Sequence, residues 1–424
     1  MQKAAFTRAL AVLAVFGALA ACDDSPELVT RPAPLDELFR SYVALGNSIT
    51  AGWQSGGIND STQRQSYAYL LAQKMGTSFA YPAFAAFGCP APVGNFVTQK
   101  KIDSLLPAAQ QQPCYLRSSA SFSPIMNNLG VPFAYARDLL GPASATDATI
   151  PTVPNNALWT FILGGKSQVQ KAIEADVTFA TVWVGNNETL LPASVGMLQP
   201  PAGTAPPVIP PNLWIPGYKA AMDSLAKAPN LEGGVLIGAI DVVNAPRFFS
   251  ADSLAANATF KSQFETLVGK PVQLLGCGTS GALVSIEIVK RIQAWSPTNP
   301  TDPNTHPPII SCIKNTPTAP IGDIFILDAT ERATFAGITA QYNAYVRAKA
   351  DTMGFAYLDP NPLLAQLRSS GAIPAKPNFL STTQPFGTYV SLDGAHPRVA
   401  SHVLVANALA DAINRKYGTS LPTQ

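Results

Sequence analysis

The chain has 424 residues, of which 47% are hydrophobic and only 13% charged, and its formal net charge is +2. This length is enough for one large domain or two ordinary ones. There is no run of lysine and arginine to provide the electrostatic footprint that nucleic-acid binding requires, so a nucleic-acid partner is excluded.

The first 21 residues have the pattern of a secretory signal peptide. Lys3 and Arg8 precede an apolar run that is too short for a permanent membrane helix, and Leu-Ala-Ala-Cys follows, ending at Cys22. This tetrapeptide resembles a bacterial lipobox, whose cysteine is lipidated and becomes the new N-terminus; an ordinary cleaved signal is the alternative. We therefore expect an exported protein of the bacterial cell envelope, held at the periplasmic face or the cell surface by a lipid on Cys22. Residues 22–40 would comprise this cysteine and a tether.

Short apolar runs predict buried parallel strands, because strands covered on both faces are apolar throughout. Helical patterns lie between them and after the last one, where Pro397 suits a first helical turn and Gly418 a stop. This alternation predicts an α/β fold, a three-layer α/β/α sandwich with a mostly parallel central sheet. The strands are predicted at Tyr42–Leu45, Phe179–Val184, Val235–Ile240 and Phe355–Leu358, and the helices at Ser66–Met75, Lys166–Ala175, Ala333–Met353 and Pro397–Tyr417.

Long loop insertions interrupt the alternation near residues 89–125, 196–217 and 276–321, within one domain of residues 41–418. Two stretches, Gln199–Pro216 and Trp295–Ile321, are predicted as surface loops because proline at their density disfavours helices and central strands. Without Cys22, four of the five cysteines remain, and the sequence allows three pairings of them. Nearest-neighbour disulfides, Cys89 with Cys114 and Cys277 with Cys312, are our prediction, and free buried thiols are the alternative.

Polar motifs follow the first two predicted strands and precede the last helix. Gly46-Asn47-Ser48-Ile49 follows the first strand and Gly185-Asn186-Asn187-Glu188 the second. The carboxyl ends of parallel strands share the edge where open α/β folds bind ligands. Asp393 precedes His396 by three residues, so that a carboxylate can fix the tautomer of the imidazole. Alone, Ser48 is at least as compatible with a helix N-cap, and the second motif is compatible with a turn cap.

Together, and in this order, the three motifs resemble the conserved blocks of the SGNH hydrolase superfamily, also called GDSL esterases. The resemblance implies a flavodoxin-like fold, with Ser48 as nucleophile, His396 as base and Asp393 as its orienting partner. It further implies an oxyanion hole formed by the Ser48 amide, the Asn187 side chain and an amide of the second block. It implies neither a metal nor an organic cofactor.

The sequence departs from the family pattern at Asn47 and Glu188, where aspartate is common. The segment Asn128–Ala134 resembles the second block but has Phe133 in place of a glycine. The backbone N–H of Phe133 can still donate if this residue adopts a conformation that glycine reaches more easily. Gly88 is the competing donor, and the sequence leaves the choice open.

His396 is the preferred base among three histidines, because His306 lies in a Pro-rich loop and His402 inside the last helix. We expect a serine carboxylic ester hydrolase that forms an acyl-serine intermediate on a small-molecule, lipid or glycan acyl ester. Two alternatives stay open: a carbohydrate O-deacetylase, and a non-catalytic cell-surface binding lipoprotein on the same scaffold. Trp214 is expected to pack, with a wall of the acyl site as its other role.

Overall fold

The computed structural model describes residues 36–84, 87–105, 125–141, 157–200, 205–295, 308–314 and 324–424. The predicted signal peptide, Cys22, Cys114 and His306 lie outside these residues. The 3₁₀ helix Glu37–Phe39 buries Phe39 completely, so the packed structure begins a few residues before the predicted start at residue 41.

The strands of the described residues form three sheets. The central sheet has four strands, in the order Tyr42–Gly46 (β1), Phe179–Trp183 (β2), Gly233–Ile237 (β3) and Ala356–Leu358 (β9). All of its neighbouring strands are parallel. It contains the four predicted strands, with bounds that differ by up to three residues. The smaller sheets are antiparallel β4-β6-β8 and parallel β5-β7. In chain order the strands are β1 Tyr42–Gly46, β2 Phe179–Trp183, β3 Gly233–Ile237, β4 Phe248–Ser250, β5 Gln273–Leu275, β6 Leu283–Ser285, β7 Ile309–Ser311, β8 Ile326–Leu327 and β9 Ala356–Leu358.

Helices follow most of the strands and include the four that the sequence predicts. Side-chain caps fix several of their starts. Ser66 caps the helix Tyr67–Lys74, and Asp328 caps the helix Ala329–Met353. In chain order the helices are α1 Ser48–Ala51, α2 Asp60–Arg64, α3 Tyr67–Lys74, α4 Ala157–Leu163, α5 Gln168–Glu174, α6 Asn187–Ser194, α7 Pro211–Leu225, α8 Ala251–Ala256, α9 Ala258–Val268, α10 Ile288–Ala294, α11 Ala329–Met353, α12 Asn361–Ser369 and α13 Val399–Tyr417. None of the helices in the described part of the chain is long and apolar enough to cross a membrane.

The central sheet is covered on both faces, as its apolar strands predict. In β1, Val43 and Leu45 pack into one apolar cluster with residues of α5, α7 and α11. Tyr42 and Ala44 point to the other face and pack with α3 and α13. Because successive side chains of a strand alternate between its faces, both layers depend on the same short run. The three-layer α/β/α sandwich is confirmed.

The last helix starts later than predicted. Pro397 is not in its first turn: it forms an isolated bridge with Val390, and Arg398 is the N-cap of α13. The predicted end is correct, because Gly418 stops the helix with a φ of 70°.

Two predicted loops contain regular structure. Helix α7 begins at Pro211, inside the predicted loop Gln199–Pro216, because proline fits the first turn of a helix, where its missing N–H would have no partner. Strand β7 lies inside the predicted loop Trp295–Ile321 and pairs with β5. The predicted disulfide between Cys277 and Cys312 is present, with a Cα–Cα distance of 5.1 Å. Cys89 is also disulfide-bonded.

Candidate active site

Ser48 lies at the carboxyl end of β1, where the strand turns into α1. The side chain of Asn47 caps this helix by accepting a hydrogen bond from the Ile49 N–H at 3.1 Å. A side chain at position 46 would place its Cβ 2.1 Å from Thr50 Oγ1, so only glycine fits there. The turn therefore holds the buried Ser48 at the edge of the central sheet.

Ser48, His396 and Asp393 form a continuous chain of hydrogen bonds. His396 Nε2 lies 2.9 Å from Ser48 Oγ, and His396 Nδ1 lies 2.9 Å from Asp393 Oδ2. A carboxylate next to Nδ1 favours the tautomer in which Nδ1–H donates to it and Nε2 accepts the serine proton. The structure thus brings together the three residues that the sequence singles out, although 348 positions separate Ser48 from His396.

Asp393 is surrounded by hydrogen-bond donors. Its Oδ1 accepts from Ser391 Oγ at 3.0 Å and from the N–H groups of Ala395 and His396 at 3.0 and 2.9 Å. Its Oδ2 accepts from the Gly56 N–H at 3.0 Å as well as from the imidazole. Burial alone would raise the pKa of Asp393, but the charge of His396 and these hydrogen bonds hold it well below its ordinary value. The carboxylate therefore stays ionised beside the imidazole.

The second block lies against the turn that carries Ser48. Gly130 is so close to α1 that a Cβ there would lie 2.6 Å from the Ala51 nitrogen. Three residues later, Phe133 has a φ of 68°. This is the left-handed conformation that glycine reaches easily and that a phenylalanine in its place has to adopt. Among the backbone hydrogen bonds of the described residues, its N–H donates to none. This N–H is therefore available to a bound ligand.

Asn187 begins α6, directly after β2, and its side chain reaches the same segment. Its Nδ2 donates to the Ala134 carbonyl at 2.8 Å. A side-chain amide has two N–H groups, so the second is left for another acceptor. Gly88, the competing second-block donor, packs against Ile58 instead, since a Cβ there would lie 2.1 Å from the Ile58 carbonyl oxygen. These contacts favour the Phe133 N–H over that of Gly88 as the donor of the second block.

Glu188 is buried beside this site, which the sequence does not reveal. Its Oε1 accepts from the Ala136 N–H at 2.7 Å and from Trp214 Nε1 at 3.1 Å. Burial raises the pKa of Glu188 to about 7, although both hydrogen bonds act in the opposite direction. Trp214 stacks between Tyr218 and Tyr342, with ring centroids 4.7 and 4.3 Å away, and so packs in the core.

Two further aromatic contacts surround the triad. Trp53, which sequence reasoning missed, has its ring centroid 5.4 Å from that of Phe133 and 6.4 Å from that of His396.

His402 is fully buried in α13, where its Nδ1 accepts from the Tyr67 N–H at 3.1 Å. Burial lowers the pKa of His402 to about 3, so it is a neutral packing residue. In the described ranges, no three His, Cys, Asp or Glu side chains come together to hold a metal ion.

Solved hydrolase structures match the chain at low sequence identity and low TM-score. An α/β hydrolase from the metagenome of Lake Arreo, Spain, is 14% identical, with 88% of this chain and 93% of that chain covered and a TM-score of 0.34. A catalytic mutant of the acetylxylan esterase Axe2 from Geobacillus stearothermophilus is 11% identical and has a TM-score of 0.35. The match covers 90% of this chain and 94% of that chain. Another Axe2 variant is 13% identical, covers 90% and 96%, and has a TM-score of 0.31. No family model and no curated protein matches the chain.

Proposed function

We propose that this protein is a serine esterase of the SGNH type, which cleaves carboxylic esters through an acyl-serine intermediate. The observation that carries the proposal is the hydrogen-bond chain from Ser48 Oγ through His396 to Asp393, with 2.9 Å at both steps. A serine hydroxyl is a weak nucleophile unless an adjacent base takes its proton. Here the base is in place and is itself oriented by an ionised carboxylate.

In the proposed reaction, His396 Nε2 takes the proton of Ser48 as Oγ attacks the ester carbonyl carbon. The tetrahedral intermediate collapses when the imidazolium protonates the leaving alcohol, which leaves an acyl-enzyme. A water molecule then attacks the acyl carbon, again with His396 as base; the bond to Ser48 Oγ breaks, the imidazolium returns its proton to Oγ, and the acid leaves. Asp393 stabilises the imidazolium throughout but keeps its own charge.

The oxyanion of the intermediate needs donors on the other side of Ser48. Three are proposed: the N–H of Ser48, the N–H of Phe133 and the free N–H of the Asn187 side chain. The bond from Asn187 to Ala134, the residue after Phe133, keeps two of them together. Removal of one such donor typically costs roughly 2.7–4 kcal/mol of transition-state stabilisation.

A reactive probe tests the proposal more directly than turnover does. A fluorophosphonate should label Ser48 in the wild-type protein, because labelling requires an activated serine. Ser48→Ala should abolish both labelling and hydrolysis of p-nitrophenyl acetate. Ser41→Ala is the matched control: Ser41 is buried directly before β1, at the end of that strand opposite to Ser48, and its variant should retain both. Unchanged hydrolysis by Ser48→Ala would refute the mechanism, and a wild-type protein that neither labels nor turns over would favour a binding protein.

The proposed substrate is an acyl ester of a small molecule, a lipid or a glycan. A series of p-nitrophenyl esters from acetyl to long-chain acyl, together with acetylated sugars, separates a lipase-like enzyme from an O-deacetylase. Selective release of acetate from the sugars would assign the enzyme to the second class.

For the cell, we propose export and lipid anchoring through Cys22. Cys22→Ser should move the protein from the membrane fraction to the soluble fraction and abolish incorporation of labelled fatty acid. A variant that stays lipid-labelled would contradict this assignment.

A further inference from the structure

Glu188 connects the two sides of the proposed oxyanion hole. Asn187 and Glu188 are neighbours in the first turn of α6, and each bonds the segment that follows Phe133. Asn187 Nδ2 donates to the Ala134 carbonyl at 2.8 Å, and the Ala136 N–H donates to Glu188 Oε1 at 2.7 Å. Two bonds of opposite polarity, two residues apart, thus fix this segment to α6.

The Glu188 side chain is itself held from the other direction. Trp214 Nε1 donates to the same Oε1 at 3.1 Å, and the stacking of Trp214 between Tyr218 and Tyr342 immobilises its ring. The backbone of Glu188 is held as well, because its main-chain carbonyl accepts from the Ile209 N–H at 3.3 Å. The carboxylate is therefore a rigid bridge between the aromatic stack and the segment after Phe133.

We propose that Glu188 is a positioning residue for the proposed esterase: its carboxylate holds the Phe133–Ala136 segment so that the Phe133 N–H and the Asn187 side chain face the oxyanion together. The inference rests on the proposed function. The charged form does this best, because a carboxylate accepts shorter and stronger hydrogen bonds than a neutral acid does. Its other oxygen, Oε2, is buried and finds no hydrogen-bond partner among the described residues, so the contacts to Ala136 and Trp214 both go through Oε1.

Burial, together with the charge of Asp138, favours protonation of Glu188. Asp138 repels its charge, and Tyr135 and Tyr342 also face it. Arg137 pairs with Asp138 at 3.9 Å. With burial, these surroundings place the pKa of Glu188 near neutrality. Its protonation as the pH falls should weaken the bond to Ala136 and with it the oxyanion hole.

The test measures kcat and KM for p-nitrophenyl acetate across the pH range in purified full-length Glu188→Gln and Glu188→Ala. The alanine variant should lose roughly 100-fold in kcat, with KM within about twofold, because the lost stabilisation belongs to the transition state. The glutamine variant keeps an Oε1 acceptor without charge and should lose only about tenfold. The acid side of the kcat/KM profile should be steeper than one proton in the wild type and reduce to a single-proton slope in Glu188→Gln.

Thr181→Val is the matched control for loss of stability alone. Thr181 is buried in β2 and bonds Tyr42 at 2.9 Å within the sheet, so its variant should lose stability but neither kcat nor the steep acid slope. If Glu188→Ala does not fold, Trp214→Phe tests the same bridge, because it removes one donor to Oε1 and keeps an aromatic ring; kcat should fall severalfold.

The outcomes separate the two proposals. Glu188 variants with wild-type kcat and slope, alongside an inactive Ser48→Ala, would overturn only the role of Glu188. Hydrolysis that survives in Ser48→Ala would refute the esterase mechanism itself.

Discussion

Replacing Glu188 with glutamine removes one charge from the core at nearly constant volume. The pKa of this carboxyl rises from an ordinary value of 4.5 to about 7 on folding. At about 1.4 kcal/mol per pKa unit, that shift corresponds to ~3 kcal/mol. The sign follows from proton binding: between these two values the folded state binds the proton more tightly than the unfolded state. The contribution of Glu188 to the free energy of unfolding is therefore fully present below pH 4.5 and is lost as the pH rises through about 7.

Glutamine does not titrate, so the difference in stability between the two proteins should depend on pH. From about pH 5 to about pH 8, the wild type should lose roughly 2–3 kcal/mol of stability relative to Glu188→Gln. For 424 residues the unfolding entropy is ~0.9 kcal/mol/K, so the Tm difference should shift by about 3 °C over that range, in favour of the variant at high pH. Differential scanning calorimetry of both proteins in the same buffers measures this shift. A Tm difference that is constant with pH, or that shifts in favour of the wild type, would refute the conclusion that burial raises the pKa of Glu188 to near neutrality.

Other substitutions test the rest of the site and one staple of the fold. Asp393→Asn should lower kcat for p-nitrophenyl acetate roughly ten-thousandfold by favouring the wrong imidazole tautomer, and a loss below tenfold would show that this carboxylate does not orient the base. Asn187→Ala should cost roughly 100- to 1000-fold in kcat, whereas Phe133→Ala should stay within about threefold because its donor is a backbone N–H; equal losses would contradict this division of roles. The Cys277→Ala/Cys312→Ala double variant opens a loop with a sequence separation of 35, so its Tm should fall by about 4 °C, and an unchanged Tm would show that the staple does not stabilise the fold.

The meeting of Ser48, His396 and Asp393 could be predicted because three sequence motifs occur together and in one order, although Ser48 alone is compatible with a helix cap. Ser48 directly follows a wholly apolar strand, and Asp393 and His396 are three residues apart. Parallel strands bring their carboxyl ends to one edge whatever the lengths of the connections between them. The predicted loop Gln199–Pro216 is wrong at its end for a comparably local reason: proline disfavours a helix interior but fits a first turn, and α7 begins at Pro211.

The surroundings of the triad could not be predicted in this way. Glu188 bonds the backbone N–H of Ala136, 52 positions away, and a backbone donor carries no side-chain signature. Trp214 reaches the same carboxylate from a segment whose prolines indicate a loop. The sequence marks Glu188 only as a departure from a family pattern, and the structure shows what the longer side chain contacts.

The pKa values of the buried carboxyls of Asp393 and Glu188 differ because Asp393 lies beside His396 and receives more hydrogen-bond donors. Asp393 accepts hydrogen bonds at both oxygens, next to a group that becomes cationic, so its pKa falls despite burial. Among the described residues, Glu188 accepts side-chain hydrogen bonds at Oε1 only, and burial, together with the charge of Asp138, raises its pKa. As the pH falls through about 7, the protein should gain stability from Glu188 while the proposed oxyanion hole loosens. A single buried carboxyl would then link stability and activity with opposite signs. Because Glu188→Gln should remove both trends at once, calorimetry and kinetics on this variant test one physical cause through two independent observables.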